Sequence, residues 1–385
     1  MNHLNLLTPG PVPMPPEVYQ ALQRPMTHHR TPEFMAVINH CRQQLKKVFN
    51  TQEPVIVLTS TGSGAMESAV VNILSTHDEV LVVVSGKFGE RWCDMCNVYG
   101  VKKVHELQVP WGKSVSAQEI DNYLQKHPQI TAVLTQHCET STGALHPVKE
   151  IAQILKKYPK ILFFVDAITA IGAEELKMDE WGVDVICAGS QKAFMMPTGL
   201  SFIALSAKAW QASKNSDFPK YYFDLKAELK AQEKNQTFFS SSITHFMALD
   251  AYFNYLDQHG GLTASINRCH LLAKVTRKAL EIFNLKVFTH NPSASLTVIE
   301  LPPQIDGQKL RQHLEDKYNV IFMGGQEQLQ GKIIRIGHLG YITDENMIEG
   351  ILALGHALID FDFNLEESQI KEAKSTCLKI FKEGL

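Results

Sequence analysis

The sequence predicts an α/β protein with a large, mostly parallel-sheet domain and a smaller α+β domain. Two observations predict this fold. Strand-like apolar runs alternate with amphipathic helical stretches as far as Asp257, the pattern of βαβ units. The chain has 385 residues, and a single core usually divides beyond roughly 250 to 300 residues. We therefore expect two domains, with the sheet in the first.

The large domain is predicted over residues 15–257. Short runs rich in β-branched and other apolar residues indicate its strands: Pro54–Thr59, Glu79–Val84, Thr131–Thr135, Ile161–Val165, Val183–Cys187 and Leu200–Leu205. Between Ser213 and Gln236 lysines, aspartates and aromatic residues break this rhythm. We predict a surface excursion there.

The smaller domain is predicted over residues 1–14 together with 258–385. After a glycine pair at residues 260–261 we expect a helix, a strand, a second helix and a second strand, the last three at Leu296–Leu301, about Gly307–Lys317 and Lys332–Ile336. The stretch from Glu366 to Lys382 has one apolar face and lysines on the other. This pattern favours a terminal helix that docks on its own domain over one that lies on a membrane.

Composition and charge exclude several classes of function. The formal net charge is −3 and the pI is about 6.6, so nothing indicates a surface for nucleic acid. The N-terminal residues lack the pattern of a signal peptide, and no apolar run is long enough to span a membrane. Seven cysteines, an odd number, suggest reduced thiols. We expect a cytoplasmic protein.

Two predicted strands end in residues that suit one cofactor. Ile161-Leu-Phe-Phe-Val-Asp166 ends in a carboxylate, and the strand that begins at Val183 leads to Gly189-Ser-Gln-Lys192. Ligands of open α/β sheets bind at the carboxyl ends of the strands. Pyridoxal 5′-phosphate needs a lysine that bonds to its aldehyde and an acidic partner for its pyridine nitrogen. Lys192 and Asp166 are therefore the candidate catalytic residues.

A glycine-rich turn offers a site for the cofactor's phosphate. Ser60-Thr-Gly-Ser-Gly-Ala-Met-Glu67 follows a predicted strand and opens a helical stretch, so backbone N–H groups can face an anion there. Alone, such a turn is more often only a turn, but Asp166 and Lys192 downstream favour the phosphate site. Phe88, just after the strand Glu79–Val84, either stacks on the cofactor ring or packs in the core.

In these motifs the chain resembles the class V aminotransferases of fold type I. The resemblance is to the branch of alanine–glyoxylate and serine–glyoxylate or serine–pyruvate aminotransferases and aspartate aminotransferase-like proteins once labelled soluble hydrogenase subunits. Matching segments occur in order from Leu7-Thr-Pro-Gly-Pro11 to Arg335-Ile-Gly-His-Leu-Gly340, so the resemblance covers nearly the whole chain.

The resemblance implies a role for individual cofactor-binding residues. Lys192 would bond covalently to pyridoxal 5′-phosphate, with Asp166 at the pyridine nitrogen. Phe88 would stack on the ring, and Thr140 would hydrogen-bond the phenolic oxygen. The phosphate would be held by Ser63, Gly64, Ala65 and Gln191, and by Ser240 of the neighbouring subunit. Ser240 stands where relatives often have a threonine.

The resemblance also implies substrate-binding residues. Arg335 would grip the α-carboxylate with its planar fork. Gly10, in Thr8-Pro-Gly-Pro11, would allow close approach of the backbone to the ligand, although an ordered N-terminal turn explains it equally well. Arg30 could read a second carboxylate or be a solvated arginine. His338 lines the pocket or is a buried structural histidine.

These residues predict an aminotransferase that moves the amino group of alanine, serine or aspartate to a 2-oxo acid such as glyoxylate or pyruvate by a ping-pong mechanism. The family further implies a homodimer with composite active sites. Two alternatives stay open: a lyase or desulfurase of the same fold type, and a non-catalytic subunit. The first needs a reactive cysteine near Arg335, where the sequence has none. The Cys93–Cys96 pair has no second pair of ligands, so we predict no metal site.

Overall fold

Strands and helices alternate along most of the chain in a computed structural model, which describes residues 4–385. The strands are β1 (Asn5–Leu6), β2 (Val55–Leu58), β3 (Glu79–Val84), β4 (Lys103–Gln108), β5 (Ala132–Gln136), β6 (Cys138–Glu139), β7 (Ala144–Leu145), β8 (Leu162–Asp166), β9 (Val185–Gly189), β10 (Ser201–Leu205), β11 (Lys286–Val287), β12 (Leu296–Glu300), β13 (Val320–Ile321), β14 (Met323–Gly324) and β15 (Ile333–Gly337).

The helices are α1 (Pro16–Leu22), α2 (Pro32–Phe49), α3 (Gly62–Ile73), α4 (Lys87–Tyr99), α5 (Ala117–Lys126), α6 (Val148–Leu155), α7 (Met178–Trp181), α8 (Ala207–Ala212), α9 (Leu225–Gln232), α10 (Ile243–Gln258), α11 (Gly261–Ile282), α12 (Gly307–Tyr318), α13 (Asp344–Asp360) and α14 (Glu367–Glu383). A short 3₁₀ turn lies at Glu327–Leu329. Within residues 4–385, no helix has the length and apolar character needed to cross a membrane.

Seven strands form the main sheet in the order β2-β10-β9-β8-β5-β3-β4. β10 runs antiparallel to both of its neighbours, and the remaining pairs are parallel. β2, β3, β5, β8 and β9 therefore all point the same way. Their carboxyl ends meet at one edge of the sheet, and the segments that carry the predicted chemistry follow directly from those ends.

Helices cover both faces of this sheet. In β3, Val80, Val82 and Val84 face a core shared with α3 and α4, whereas Leu81 and Val83 face a core shared with α2 and α10. Side chains alternate between the faces because a strand has a period of two. With both faces covered, central strands are buried along their whole length, which explains why they read as uninterrupted apolar runs.

A second, antiparallel sheet in the order β11-β12-β15-β14 packs with α11, α12, α13 and α14 in a separate apolar core. The N-terminal segment joins this part of the molecule, since Asn5 of β1 pairs with Val320 of β13 and Leu7 lies in the same core. The packing of α10 in the first core and most of α11 in the second fits a division near residue 258. The exact domain bounds stay a prediction.

The predicted fold is confirmed. Each of the six predicted strands of the large sheet corresponds to an observed strand, with ends that differ by at most a few residues. The predicted excursion between Ser213 and Gln236 contains α9. One strand of this large sheet was not predicted. This strand, β4, lies at the edge of the sheet, where Lys103, Glu106 and Gln108 are exposed. An edge strand needs no continuous apolar run, so the sequence pattern does not reveal it.

Candidate active site

Lys192 lies just beyond the carboxyl end of β9, and its side chain is buried, with 9% of the residue exposed. The Nζ atom donates a hydrogen bond of 2.6 Å to the carbonyl oxygen of Pro9. Burial lowers the pKa of Lys192 to about 8, and the positive charge of Arg335 acts in the same direction. A substantial fraction of this amine is therefore neutral, and so nucleophilic, near physiological pH.

Asp166 is the last residue of β8 and is also buried. Its Oδ1 accepts a hydrogen bond of 2.8 Å from the backbone N–H of Ile168. Burial raises the pKa of Asp166 to about 7, and the nearby Glu139 contributes to this shift. Within residues 4–385 no salt bridge joins Asp166 to a cation. A protonated ring nitrogen placed beside it would stabilise its charged form.

The glycine-rich turn leads from β2 into α3, as predicted from the sequence, and forms a tight cradle. A Cβ atom on Gly64 would lie 2.6 Å from Ser60 Oγ, so only glycine fits there without displacement. Ser63 lies in the first turn of the helix, and Ala65 is buried beneath it. N–H groups at the start of a helix have no partners within the helix and favour an anion.

Gln191, next to Lys192, faces this cradle. Its Oε1 atom is buried without a hydrogen-bond partner among the described residues. A Cβ atom on Gly189 would lie 2.9 Å from this oxygen and 3.4 Å from Gly62 at the start of α3. The Gln191 amide oxygen therefore lies close to the N-terminus of α3, where it can accept a hydrogen bond from a donor.

Phe88 is half-buried in the first turn of α4. The guanidinium carbon of Arg91 lies 4.7 Å from the centre of the Phe88 ring. Arg91 Nη1 also donates a hydrogen bond of 2.9 Å to Ser63 Oγ. Arg91 therefore joins the aromatic ring to the glycine-rich turn, a role that the sequence analysis did not assign. Its position three residues after Phe88, on the same helix face, was the available signal.

Arg335 on β15 reaches across to the main sheet. The side chain is buried; Nη1 donates to the carbonyl oxygen of Thr140 at 3.0 Å, and Nε donates to that of Gly324 at 2.9 Å. Burial lowers the pKa of Arg335 to about 10. The Thr140 hydroxyl donates to Thr169 Oγ1 at 2.7 Å. A guanidinium that meets only carbonyl oxygens retains donors for a carboxylate ligand.

Gly10 lies against the Lys192 side chain. It has a φ of +132°, and a Cβ atom there would lie 2.6 Å from Lys192 Nζ.

His338 is buried, and its Nδ1 donates to the carbonyl oxygen of Ala294 at 2.9 Å. Its Nε2 has no partner among residues 4–385, and burial lowers its pKa to about 3. His338 is therefore a neutral ring whose free nitrogen can only accept a hydrogen bond.

Two predicted site residues are not brought to this cluster within one chain. Arg30 is exposed, and its backbone N–H donates to His28 Nδ1. In the described part of the chain, its guanidinium makes no salt bridge. Ser240 is exposed in the loop that precedes α10. The roles assigned to both residues stay predictions.

The arrangement fits pyridoxal 5′-phosphate in three separate ways. A buried amine with a lowered pKa matches the aldehyde, a buried carboxyl group without a cation matches the pyridine nitrogen, and a glycine cradle at a helix N-terminus matches the phosphate. The amine, the carboxyl group and the glycine cradle follow the ends of three different strands, β9, β8 and β2. They meet at one edge of the sheet.

The cysteines do not offer a reactive thiolate. All seven are buried, and burial raises the pKa of each thiol, to about 12 for Cys138, which lies next to Glu139 in β6. Thiols with raised pKa values are poor nucleophiles.

Comparison with known proteins places this geometry in a family. The chain is 35% identical over 361 residues to the soluble hydrogenase small subunit of Synechococcus sp. (strain PCC 6716), covering 93% of this chain and 94% of that protein. It is 33% identical over 369 residues to the L-aspartate–glyoxylate aminotransferase of Paracoccus denitrificans, covering 94% and 92% of the two chains.

A solved structure with closely similar architecture is that of the ureidoglycine–glyoxylate aminotransferase of Bacillus subtilis. Its TM-score is 0.93 at 25% identity, and the match covers 99% of both chains. The family model described as aminotransferase class-V matches residues 12–349. This match, together with the relatives above, shows that the chain belongs to the class V aminotransferases.

Proposed function

We propose that the protein is a pyridoxal 5′-phosphate-dependent aminotransferase that moves the amino group of a small amino acid (alanine, serine or aspartate) to a 2-oxo acid such as glyoxylate or pyruvate. The observation that carries this function is the buried amine of Lys192 in one cluster with Asp166 and Arg335, whose charges act on it. The cluster combines a nucleophilic base, an acid partner and a carboxylate clamp.

Each predicted cofactor-binding residue would contact a different part of the cofactor. When bound, pyridoxal 5′-phosphate supplies an aldehyde that condenses with amines and a ring that accepts the electrons left by a departing α-proton. Asp166 would keep the pyridine nitrogen protonated. Ser63, Gly64, Ala65 and Gln191 would bind the phosphate at the start of α3. Phe88 would pack on the ring, and the Thr140 hydroxyl would hydrogen-bond its phenolic oxygen.

Lys192 has two successive tasks. Its neutral amine would hold the cofactor covalently. With a substrate amine bound, the free Nζ would accept the α-proton of the amino acid as a general base and later donate a proton as a general acid. A pKa near 8 suits both tasks, because the amine must bind and release a proton at neutral pH.

Arg335 fixes the substrate's α-carboxylate through its remaining N–H donors. Gly10 leaves room for the ligand beside Lys192. We include His338 as a pocket residue, and Arg30 as a reader of a second carboxylate.

The acceptor best supported is glyoxylate. The names of the Paracoccus and Bacillus proteins both contain glyoxylate. A small 2-oxo acid needs no contacts beyond the Arg335 guanidinium for its carboxylate and the Lys192 amine. The amino donor is less narrowly defined, because no residue described in the pocket singles out alanine, serine or aspartate.

The proposal includes a homodimer in the cytoplasm with composite active sites. Two aromatic side chains, exposed Tyr222 and half-buried Phe223, lie beside the glycine-rich turn. The Tyr222 hydroxyl donates to the carbonyl oxygen of Thr59, and Phe223 lies 3.2 Å from a Cβ position on Gly64. A second subunit that covers this surface would bring its own Ser240 loop to the phosphate. Seven unpaired thiols suit a reducing compartment.

A lyase or desulfurase is disfavoured because such an enzyme needs an accessible thiolate, whereas every cysteine is buried with a raised pKa. A non-catalytic subunit is disfavoured because the amine, the acid partner, the phosphate cradle and the carboxylate clamp are all present.

The test is a two-stage titration of the purified, cofactor-loaded protein. Alanine, serine and aspartate are added separately, and the absorbance of the bound cofactor is followed. Glyoxylate or pyruvate is then added to the sample that responds. We expect conversion to the amine form of the cofactor and its reversal by the oxo acid. Lys192→Ala, which lacks the amine, is the control and should not cycle.

The outcomes separate the alternatives. If cofactor binds and no amino acid changes its absorbance, the proposed donors are wrong. If one amino acid is consumed and the oxo acid does not reverse the change, a lyase is favoured. If the purified protein binds no cofactor at all, the proposal of a non-catalytic subunit replaces that of an aminotransferase.

A further inference from the structure

We propose that Glu139 is the positioning residue that fixes both the ring of Phe88 and the guanidinium of Arg335, although it touches neither side chain through a hydrogen bond. The inference rests on the proposed function, since it concerns how the cofactor ring and the substrate carboxylate are held. Glu139 has no exposed surface and lies in β6, between the main sheet and α4.

The Glu139 carboxylate serves as the cap of α4. It accepts hydrogen bonds from the backbone N–H of Phe88 at 3.2 Å and of Gly89 at 3.0 Å. The residue before the helix, Gly86, has no side chain that could fill this role. A Cβ atom on Gly86 would lie 2.7 Å from the Glu139 carboxyl carbon, so the glycine admits the carboxylate. The backbone position of Phe88 is therefore set by Glu139.

The same carboxylate holds the turn that follows it. Its Oε1 accepts hydrogen bonds from the backbone N–H of Ser141 at 3.2 Å and from the Ser141 hydroxyl at 2.5 Å. The Ser141 hydroxyl in turn accepts a hydrogen bond from the backbone N–H of Lys87 at 3.1 Å. Phe88, Gly89 and Ser141 all donate to Glu139. Burial raises the pKa of the carboxyl group, whereas the four donors favour its ionised form. The site is built for an anion.

Arg335 depends on this turn. Its Nη1 donates to the carbonyl oxygen of Thr140, the residue between Glu139 and Ser141. In the range 4–385 Arg335 makes no salt bridge, yet the negative charge of Glu139 raises its pKa against the effect of burial. Glu139 thus stabilises the buried cation from a distance and leaves its free N–H groups for a ligand carboxylate.

Glu139→Gln tests this role because it keeps the shape and removes the charge. Its amide NH₂ group would point at N–H donors, so part of the network must break. We expect the KM for the responding amino acid to rise about tenfold or more, the scale of one lost charge-assisted hydrogen bond, with a smaller change in kcat. We also expect weaker binding of pyridoxal 5′-phosphate to the apo-protein and an altered visible circular dichroism of the bound cofactor.

Asp184→Asn is the matched control. Asp184 is a buried carboxylate that accepts from the backbone N–H of Phe163 and from the Ser206 hydroxyl, at the amino end of β9 and away from the active edge. This change should lower thermal stability while leaving KM, cofactor affinity and circular dichroism as in the wild type.

Three results would overturn the proposal: wild-type KM and circular dichroism in Glu139→Gln, equal changes in both variants, or a fall in kcat alone. If Glu139→Gln does not fold, Glu139→Asp, which keeps the charge on a shorter side chain, must show the raised KM. Failure of the proposed function looks different, because the wild-type protein itself would then neither bind the cofactor nor respond to an amino acid.

Discussion

Lys192 and Asp166 show how one buried environment prepares two residues for opposite tasks. Burial disfavours the charged form of any group, so it lowers the pKa of the amine to about 8 and raises that of the carboxyl group to about 7. Both groups therefore change charge close to neutral pH. Shifts of this kind, in a cleft and with charged neighbours, are typical of catalytic residues.

The pH dependence of cofactor capture tests the Lys192 shift. Only the neutral amine attacks the aldehyde, and lowering the pKa from 10.5 to about 8 makes the neutral form dominant above pH 8. We expect the rate at which apo-protein binds pyridoxal 5′-phosphate covalently to rise through about pH 8 and then level off. Stopped-flow absorbance measures it, with Lys192→Ala as the blank. A rate that continues to climb toward pH 10.5 contradicts the shift.

Gly10→Ala tests the contact between the N-terminal turn and the lysine. The new methyl group would lie 2.6 Å from Lys192 Nζ, at a φ of +132° that alanine disfavours. We expect kcat to fall about 100-fold, since a displacement of about 1 Å at a reacting group has effects of that size. Gly182→Ala is the control: its φ is +85° and no atom lies within 4 Å of the added Cβ. The prediction fails if both variants lose activity equally.

Where a local pattern carries the signal, the sequence predicts candidate residues. Asp166 and Lys192 each follow an apolar strand in the sequence, and the structure buries both at the carboxyl ends of β8 and β9, so their roles stay predictions that the structure supports. Glu139 was missed because its contacts are with residues far away in the sequence; the hydrogen bond from Phe88 to Glu139 spans 51 positions. Arg91 lies only three residues after Phe88, but its hydrogen bond to Ser63 spans 28 positions. Ser240 was assigned by resemblance to a site on another subunit, which a single chain does not display.

At the scale of elements, burial decided what could be predicted. β3 is buried at all six positions and is one apolar run, whereas only His105 is buried in β4 beside it, which also contains lysine, glutamate and glutamine. Both strands belong to one sheet in parallel pairing. Helices α12 and α14 were predicted almost to the residue, because an amphipathic helix shows its own period.

The turn between β2 and α3 and the N-terminus of α3 together form the proposed anion site. Gly64→Ala tests it. The added Cβ would lie 2.6 Å from Ser60 Oγ and 2.8 Å from Ser60 Cβ, so the turn must open. We expect the dissociation constant for pyridoxal 5′-phosphate to rise about tenfold, the effect of weakening one or two hydrogen bonds to a charged group.

Pyridoxal, which lacks the phosphate, is the control ligand for this variant. Its affinity should be the same in Gly64→Ala and in the wild type, because the amine and the ring site are unchanged. A parallel loss of affinity for pyridoxal and pyridoxal 5′-phosphate would show that the change disturbs the whole site and not the phosphate turn.

At the scale of the whole molecule, the site lies where the two sheets face each other. Arg335 of the smaller sheet contacts Thr140, and Pro9 of the N-terminal segment contacts Lys192. A third contact across this boundary is the 3.0 Å ion pair between Lys87 and Glu327. Neither half holds all of the predicted chemistry, so the site depends on how the two halves are packed.

An exposed aromatic surface beside the proposed phosphate turn is our candidate for the interface of the proposed dimer. Tyr221 is 78% exposed and Phe238 is 48% exposed. Tyr222 stacks on Phe239 with ring centres 4.9 Å apart, and the Phe239 ring also contacts Tyr221 and Phe238. Clusters of exposed aromatic side chains mark interaction surfaces. In a two-fold dimer such a patch would meet a patch of the partner chain.

Tyr221→Glu tests this surface. A carboxylate buried there without a partner would oppose association. We therefore expect sedimentation velocity to show a shift from dimer toward monomer. We also expect weaker binding of pyridoxal 5′-phosphate, because the proposed phosphate site would lose the loop of the partner chain. Val98→Glu, at a residue 82% exposed on α4, is the matched control and should change neither property. A Tyr221→Glu dimer with wild-type cofactor affinity would place the subunit interface elsewhere on the molecule.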